Sequence, residues 1–213
     1  MKNKNKLIMY CFVCILTVLS GCGSSGGSKN DTNNQTVSPD IDIPPEVIVM
    51  LGDSLTSGGH WAEDFNRPDI VNAGIGGDTI SKLINRLDSI LDAKPKAIFL
   101  MIGINDLLSG GRTPDYVRNN TERIILRLQE KSPSTIIFIQ SLLPQSRVPG
   151  HDEDIIETNT KLKALCDTLE LTYVDLYPLF LNRPDAYKTD KVHLIQAGYT
   201  IWEDAIRQYI STL

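Results

Sequence analysis

From Glu46 onwards, strand-like apolar runs alternate with helix-like amphipathic stretches, and this alternation restricts the fold more than any other feature of the chain. Five continuous apolar runs are of the kind that forms parallel strands buried on both faces. They lie at residues 47–51, 70–73, 97–102, 135–139 and 171–174. Apolar residues recur at helical spacing in the stretches that follow the second to fifth runs, which predicts helices over about 80–91, 114–128, 154–169 and 197–210.

Strands that alternate with helices form right-handed βαβ units with a parallel sheet between two helical layers. We therefore predict an α/β fold, a three-layer αβα sandwich whose five-stranded parallel sheet has the flavodoxin-like strand order. The 213-residue length fits one globular domain, which we place at residues 46–213. Ligands of such sheets bind at the carboxyl ends of the strands, so polar motifs that directly follow a strand are the candidates for function.

The first 45 residues have a different composition from the rest of the chain. Lys2, Lys4 and Lys6 precede an apolar stretch, which is typical of a secretory signal. The stretch ends in Leu19-Ser20-Gly21-Cys22, which resembles the lipobox of bacterial lipoproteins. We expect a signal peptide over 1–21, a lipid on Cys22, a flexible tether over 22–45, and secretion to the bacterial cell envelope, at the outer membrane or the periplasmic face. The alternative is an ordinary signal peptide with a chance cysteine.

Charge and cysteine content exclude several other classes. The net charge is -5 and no basic stripe is present, so we expect no nucleic-acid partner. Only Cys166 would remain unmodified in the mature chain, which excludes an internal disulfide and a cysteine-based metal site. Histidine is equally sparse, and we expect neither a metal nor another cofactor. The oligomeric state stays open.

Two candidate motifs follow the first two strands. Ser54, in Gly52-Asp53-Ser54, lies where a strand turns into a helix, which would hold its hydroxyl out of the core. A helix cap explains that motif equally well. The glycine-rich segment 72–79 could aim the Gly77 amide at an oxyanion. A nucleotide-phosphate loop is the rival interpretation, but the glycine spacing does not fit it. We expect Asp78 and Thr79 to be helix caps.

The remaining candidates follow later strands. Asn105, after the third strand, could donate a hydrogen bond to an oxyanion or form an Asx turn. Asp190 lies three residues before His193, a separation that lets the carboxylate orient the imidazole. A surface pair or a metal site is the alternative. His60 and His151 have no such neighbour, and we assign them to loop or surface positions.

Together these four segments resemble the SGNH hydrolases, also called GDSL esterases and lipases. Within that family the pattern of residues 72–79 and 142–144 is most similar to the catalytic subunits of platelet-activating-factor acetylhydrolase and their bacterial relatives. The resemblance implies that Ser54 is the nucleophile, His193 the general base and Asp190 its orienting partner. It also implies an oxyanion hole made of the Ser54 amide, the Gly77 amide and the Asn105 side chain. Lys191 departs from the pattern, because relatives often have glycine there.

The expected function is serine ester hydrolysis of short acyl groups, acetyl above all, with a small-molecule or acetylated carbohydrate ester as substrate. Lysophospholipase or thioesterase activity is an alternative within the same chemistry. A non-catalytic glycan-binding envelope lipoprotein and a metal-dependent phosphatase are alternatives from other classes. The segment 145–154 is expected to be a loop near the site, either selecting the leaving group or acting as a plain connection.

Overall fold

The computed structural model describes residues 46–145 and 152–213, and within these ranges it contains five strands and eight α-helices. The strands are β1 (Ile48–Gly52), β2 (Ile70–Gly74), β3 (Ala97–Met101), β4 (Ile136–Gln140) and β5 (Thr172–Val174). The helices are α1 (Ser54–Ser57), α2 (Trp61–Asp64), α3 (Ile80–Asp92), α4 (Ile104–Leu108), α5 (Pro114–Lys131), α6 (Asp152–Leu169), α7 (Tyr177–Phe180) and α8 (Gln196–Ile210). A 3₁₀ turn covers Pro184–Ala186.

The five strands form one parallel sheet in the order β2-β1-β3-β4-β5. This confirms the predicted α/β fold with its flavodoxin-like strand order. Each predicted strand is present, with its ends shifted by no more than one residue, which is within the usual uncertainty of strand ends. The four long helices were also predicted, whereas the short helices α1, α2, α4 and α7 carry too few residues for a periodic signal.

The middle of the sheet forms the centre of the core. Every residue of β1 and β3 is buried, because helices cover both faces of these two central strands. Their sequences are accordingly continuous apolar runs and do not alternate with polar residues. The apolar side of α3, which includes Leu83, Leu87 and Ile90, is also fully buried. The rigidity of this core fixes the position of each loop that leaves a strand.

From β1 the chain adds β2 on one side of the sheet, and it adds β3, β4 and β5 on the other side. The direction of strand addition therefore reverses between β1 and β3. Right-handed crossovers then put α1 and α2 on one face and α3, α5 and α6 on the other. Helix α8 returns to the α2 side, where Trp202 packs against Trp61 with ring centroids 5.0 Å apart. Open α/β sheets bind ligands at the carboxyl ends of the strands on either side of such a reversal, so a site is expected above β1 and β3.

Several predictions concern residues that lie outside the described ranges or at their ends. The signal peptide, the lipid on Cys22 and the tether lie at residues 1–45, outside the described residues, and stay predictions. Among the residues that are described, none of the helices is both long and apolar enough to cross a membrane. The predicted loop at 145–154 is corrected at its end, because α6 begins at Asp152, while residues 146–151 lie outside the described part. Cys166 is fully buried, as expected of a small apolar side chain.

Candidate active site

Ser54 lies at the carboxyl end of β1, as the first residue of α1. Asp53 caps this short helix, since its Oδ1 accepts a hydrogen bond from the Leu55 amide at 3.0 Å. Gly52 lets the turn pass close to the sheet, because a Cβ atom there would lie 2.3 Å from the Met101 carbonyl oxygen. As the first residue of the helix, Ser54 has a backbone amide without an intrahelical acceptor. Its hydroxyl and its amide can therefore face the same ligand.

The turn that precedes α8 brings His193 to this serine. The Nε2 atom of His193 lies 2.9 Å from the Ser54 hydroxyl oxygen, across 139 positions of sequence. The Nδ1 atom of the same ring lies 2.8 Å from Oδ2 of Asp190. The other oxygen of Asp190 accepts hydrogen bonds from the amides of Val192 and His193, both at 2.9 Å. Both ring nitrogens and both carboxylate oxygens of this pair are therefore engaged.

The electrostatics of the pair decide which nitrogen carries the proton. The hydrogen bond from the His193 ring, with those from the Val192 and His193 amides, holds the pKa of Asp190 well below its usual range. An ionised carboxylate can only accept hydrogen bonds, so the Nδ1 atom of His193 must donate. The neutral ring then has its lone pair on Nε2, which faces the Ser54 hydroxyl. This tautomer is the one that can accept the serine proton.

Gly77 and Asn105 line the same cleft as Ser54 and His193, and the cleft has a volume of about 440 Å³. Gly77 has a φ of +73°, a left-handed conformation that favours glycine. Asn105 belongs to α4, which directly follows β3, and its Nδ2 donates a hydrogen bond of 2.8 Å to the Asp78 carbonyl oxygen. This bond uses one of the two amide hydrogens and fixes the orientation of the other. All the residues predicted for the site thus meet at one cleft or, for Asp190, directly behind it.

A buried charged cluster behind the cleft was not predicted. Asp53, Asp78, Asp106 and Arg86 are each at most 6% exposed. Arg86 donates from Nε to Asp78 at 2.8 Å and from Nη2 to the Gly52 carbonyl oxygen at 3.1 Å. Asp106 accepts from the Ile80 amide at 3.0 Å. The cluster therefore connects the three loops that follow β1, β2 and β3, the same loops that carry Ser54, Gly77 and Asn105.

The structure corrects the expected role of Asp78. Its neighbour Thr79 is the N-cap of α3, as predicted, but the Asp78 carboxylate pairs with Arg86 and does not cap the helix. The only sequence signal for this pair is that Arg86 stands between the apolar positions Leu83, Leu87 and Ile90 of a helix with one buried face. An arginine at such a position needs a buried partner.

Asp53 is the most deeply buried acid of the cluster. Burial raises the pKa of this carboxyl to about 7, and the nearby Asp78 and Asp106 carboxylates contribute to the rise. Its Oδ2 has no hydrogen-bond partner among the residues that the structure describes. The neutral form of Asp53 is therefore favoured over a wide range of acidic pH. This residue precedes the candidate nucleophile directly in the chain.

Contacts between α8 and the α1–α2 segment hold the two halves of the site together. The hydroxyl of Tyr199, six residues after His193, donates to the Leu55 carbonyl oxygen at 2.9 Å. The Trp61 indole donates to the Thr56 carbonyl oxygen at 2.8 Å and packs edge-on against Tyr199. These bonds tie the helix that follows the histidine to the helix that begins with the serine. Nothing in the local sequence predicted them.

The other histidines lie elsewhere. His60 is exposed at the start of α2 and does not line the cleft, while His151 lies outside the described residues. Across residues 46–145 and 152–213, no group of three or more His, Cys, Asp or Glu side chains is placed to hold a metal ion. The residues that do line the cleft include a hydroxyl, an imidazole and amide donors, and these groups can support nucleophilic chemistry.

Comparison with known proteins agrees with this geometry. Residues 50–201 match the model of the GDSL-like lipase/acylhydrolase family, and this range covers the end of β1, the strands β2 to β5, the serine turn and the histidine turn. The chain belongs to the GDSL-like lipase/acylhydrolase family. The predicted resemblance is thereby confirmed, and the protein is a hydrolase of ester bonds.

Several curated proteins and solved structures are similar to this GDSL-like hydrolase in sequence or in fold. The platelet-activating factor acetylhydrolase IB subunit alpha1 of Bos taurus is 28% identical over 185 residues, which cover 79% of this chain and 76% of the relative. A lipase/acylhydrolase from Enterococcus faecalis superimposes with a TM-score of 0.68 at 24% identity, over 78% of this chain and 95% of that one. A GDSL-like lipase from Bacteroides thetaiotaomicron gives 0.67 at 22% identity, over 78% and 88%. These two structures show the shared fold.

Proposed function

We propose that the protein hydrolyses short-chain esters, acetyl esters above all, through a covalent acyl-enzyme on Ser54. The observation that carries this proposal is the continuous line of hydroxyl, imidazole and carboxylate, with distances of 2.9 Å and 2.8 Å. A serine hydroxyl is a weak nucleophile by itself, and a base in hydrogen-bond contact, oriented by an acid, is what activates it.

In the proposed reaction, Nε2 of His193 takes the Ser54 proton while the serine oxygen bonds to the ester carbonyl carbon. The carbonyl oxygen becomes an oxyanion, which the amides of Ser54 and Gly77 and the Asn105 side chain stabilise. The imidazolium then gives its proton to the departing alcohol as the ester C–O bond breaks. Water, deprotonated by the same ring, attacks the acyl-serine, and the carboxylic acid and free enzyme are released.

The composition of the cleft supports a short acyl group. The apolar side chains that line it are Leu108 and Val192, and the other lining residues are glycines, polar residues and the site residues themselves. Two apolar side chains cannot remove a long acyl chain from water, whereas an acetyl methyl group needs no more. The mammalian relatives are named acetylhydrolases, which supports the same choice. An acetylated carbohydrate is the proposed natural ester, since the predicted envelope location would expose the enzyme to such polymers.

A series of p-nitrophenyl esters with increasing acyl length tests this proposal. We expect kcat/KM to be highest for acetyl and to fall steadily through butyryl to decanoyl, and a fluorophosphonate to label Ser54 alone. A preference for decanoyl would favour the lysophospholipase alternative. Absence of both turnover and labelling would favour a non-catalytic glycan-binding protein, and turnover abolished by EDTA would favour metal-dependent chemistry.

Asn105→Ala tests the proposed oxyanion hole separately. Removing one fixed donor should lower kcat about a hundredfold, roughly 3 kcal/mol, with little change in KM, because the lost bond forms mainly in the transition state. Thermal unfolding of the variant is the companion measurement, since Asn105 also bonds to the Asp78 carbonyl oxygen. A folded variant with nearly unchanged kcat would remove Asn105 from the oxyanion hole.

A further inference from the structure

A second groove of about 440 Å³ borders the catalytic cleft. The two are separated by the turn that carries the histidine, because Lys191 lines the groove while the next two residues, Val192 and His193, line the cleft. Adjacent residues are only 3.8 Å apart at their Cα atoms. The groove and the cleft therefore lie on either side of one turn of the backbone.

The groove combines an aromatic wall with a positive rim. Tyr177, Phe180 and Tyr187 line its wall. Lys188 and Lys191 line its rim, and neither takes part in an ion pair with any described residue. Arg183 is neutralised by Asp185 at 2.9 Å, and Asp152 is the one carboxylate among the described lining residues. Two unpaired ammonium groups against one carboxylate leave a local positive charge on a protein whose net charge is -5.

Lys191 lies in the turn that holds Asp190 and His193. Its φ is +59°, a left-handed conformation that glycine adopts freely. The chain has a lysine at this position, and this lysine lines the groove.

We infer that this groove binds the alcohol part of an anionic ester whose acyl group reaches Ser54, with the aromatic wall against its carbon skeleton and Lys188 and Lys191 at its acidic group. The inference rests on the proposed ester hydrolysis and narrows its substrate class to esters that carry a carboxylate or a phosphate on the alcohol side. An acetylated acidic sugar and an acetylated glycerol phosphate are the two sources of this chemistry.

The test compares 4-acetoxyphenylacetate, which is anionic, with 4-acetoxyphenylacetamide, its neutral counterpart with a closely similar leaving group. We expect the ratio of kcat/KM values to favour the anion at low salt and to shrink at high salt. Lys188→Gln and Lys191→Gly should each lower that ratio about threefold, and the double variant about tenfold, the size expected for exposed charge contacts. Lys191→Arg should retain it.

Lys94→Gly is the matched control, because Lys94 is also an exposed lysine with positive φ, at 49°, and lies at the opposite end of the sheet, before β3. It should leave the ratio unchanged. Using a ratio within each variant separates charge recognition from any change that Lys191→Gly causes in the histidine turn. A native ratio near one, or a ratio that the lysine variants leave unchanged, would overturn the inference.

The experiments distinguish failure of the inference about the groove from failure of the proposed ester hydrolysis. If neither ester is hydrolysed, ester hydrolysis itself fails, and the groove is then tested by equilibrium binding of 4-hydroxyphenylacetate and its amide to Ser54→Ala. Preference for the acid that disappears in the lysine double variant supports the groove, and equal binding overturns it. Acetylated galacturonic acid and acetylated glycerol phosphate, compared as substrates of the native enzyme, then decide between the two sources.

Discussion

Ser54→Ala is expected to lower kcat for p-nitrophenyl acetate by roughly 10⁴-fold or more, because it removes the hydroxyl that His193 contacts and that would form the proposed acyl-enzyme. His193→Ala should cause a loss of similar size, since the serine at 2.9 Å would lose its proposed base. The double variant should be no slower than the slower single variant, because residues that act as one unit do not contribute additively. Initial rates at saturating substrate measure all three.

Two substitutions of the same residue types serve as controls. Ser57→Ala changes an exposed serine at the other end of α1, and His60→Ala changes an exposed histidine outside the cleft. Both should retain nearly full activity. If the losses from Ser54→Ala and His193→Ala multiplied in the double variant, the two residues would act in separate steps, and the proposed activation of serine by histidine would be wrong.

Arg86→Met is expected to destabilise the fold by about 3–5 kcal/mol, the cost of breaking a buried ion pair on one side. The substitution leaves the Asp78 carboxylate buried without its guanidinium, close to Asp53 and Asp106. It also removes the bond to the Gly52 carbonyl oxygen, next to the turn that holds Ser54. Urea unfolding of the native and variant proteins at neutral pH measures the difference.

Arg127→Met is the matched control, because Arg127 pairs with Asp88 of the same helix α3 but at the surface, with side chains 41% and 44% exposed. It should cost less than about 1 kcal/mol. Adding Asp78→Asn to Arg86→Met should recover part of the lost stability, because it removes the stranded charge. Equal effects of Arg86→Met and Arg127→Met would show that the buried cluster has no special part in connecting the three loops.

Much of the architecture could be predicted from local patterns. The apolar runs of β1 and β3 predicted strands buried on both faces, and the 3.6-residue periodicity of α3 predicted its buried side. The Asp190–His193 pair was also predictable, since three residues of separation in a loop let the carboxylate reach the imidazole. Periodicity and short-range spacing involve only residues that are close in sequence, so both can be recognised in the sequence alone.

The buried cluster was beyond that kind of reasoning. Arg86 lies on helix α3, Asp78 lies in the loop before that helix and Gly52 ends β1, and only the fold brings the three together. The same holds for the bond from Tyr199 to the Leu55 carbonyl oxygen, which spans 144 positions. Expecting Asp78 to cap a helix was reasonable for an aspartate before a helix, and it was wrong because Arg86, eight positions further along on α3, offers a stronger partner in a buried environment.

The sequence by itself determined the α/β class, the order of the elements and the residues that could carry acyl-transfer chemistry. Only the tertiary structure decided that Ser54 and His193 meet at 2.9 Å, that Asn105 is oriented by the Asp78 carbonyl oxygen, and that a lysine-rimmed groove adjoins the cleft. The physical reason is that hydrophobic periodicity depends only on residues that are close in sequence. Contacts between loops depend instead on the order of the strands in the sheet, which brings segments that are distant in sequence to one edge.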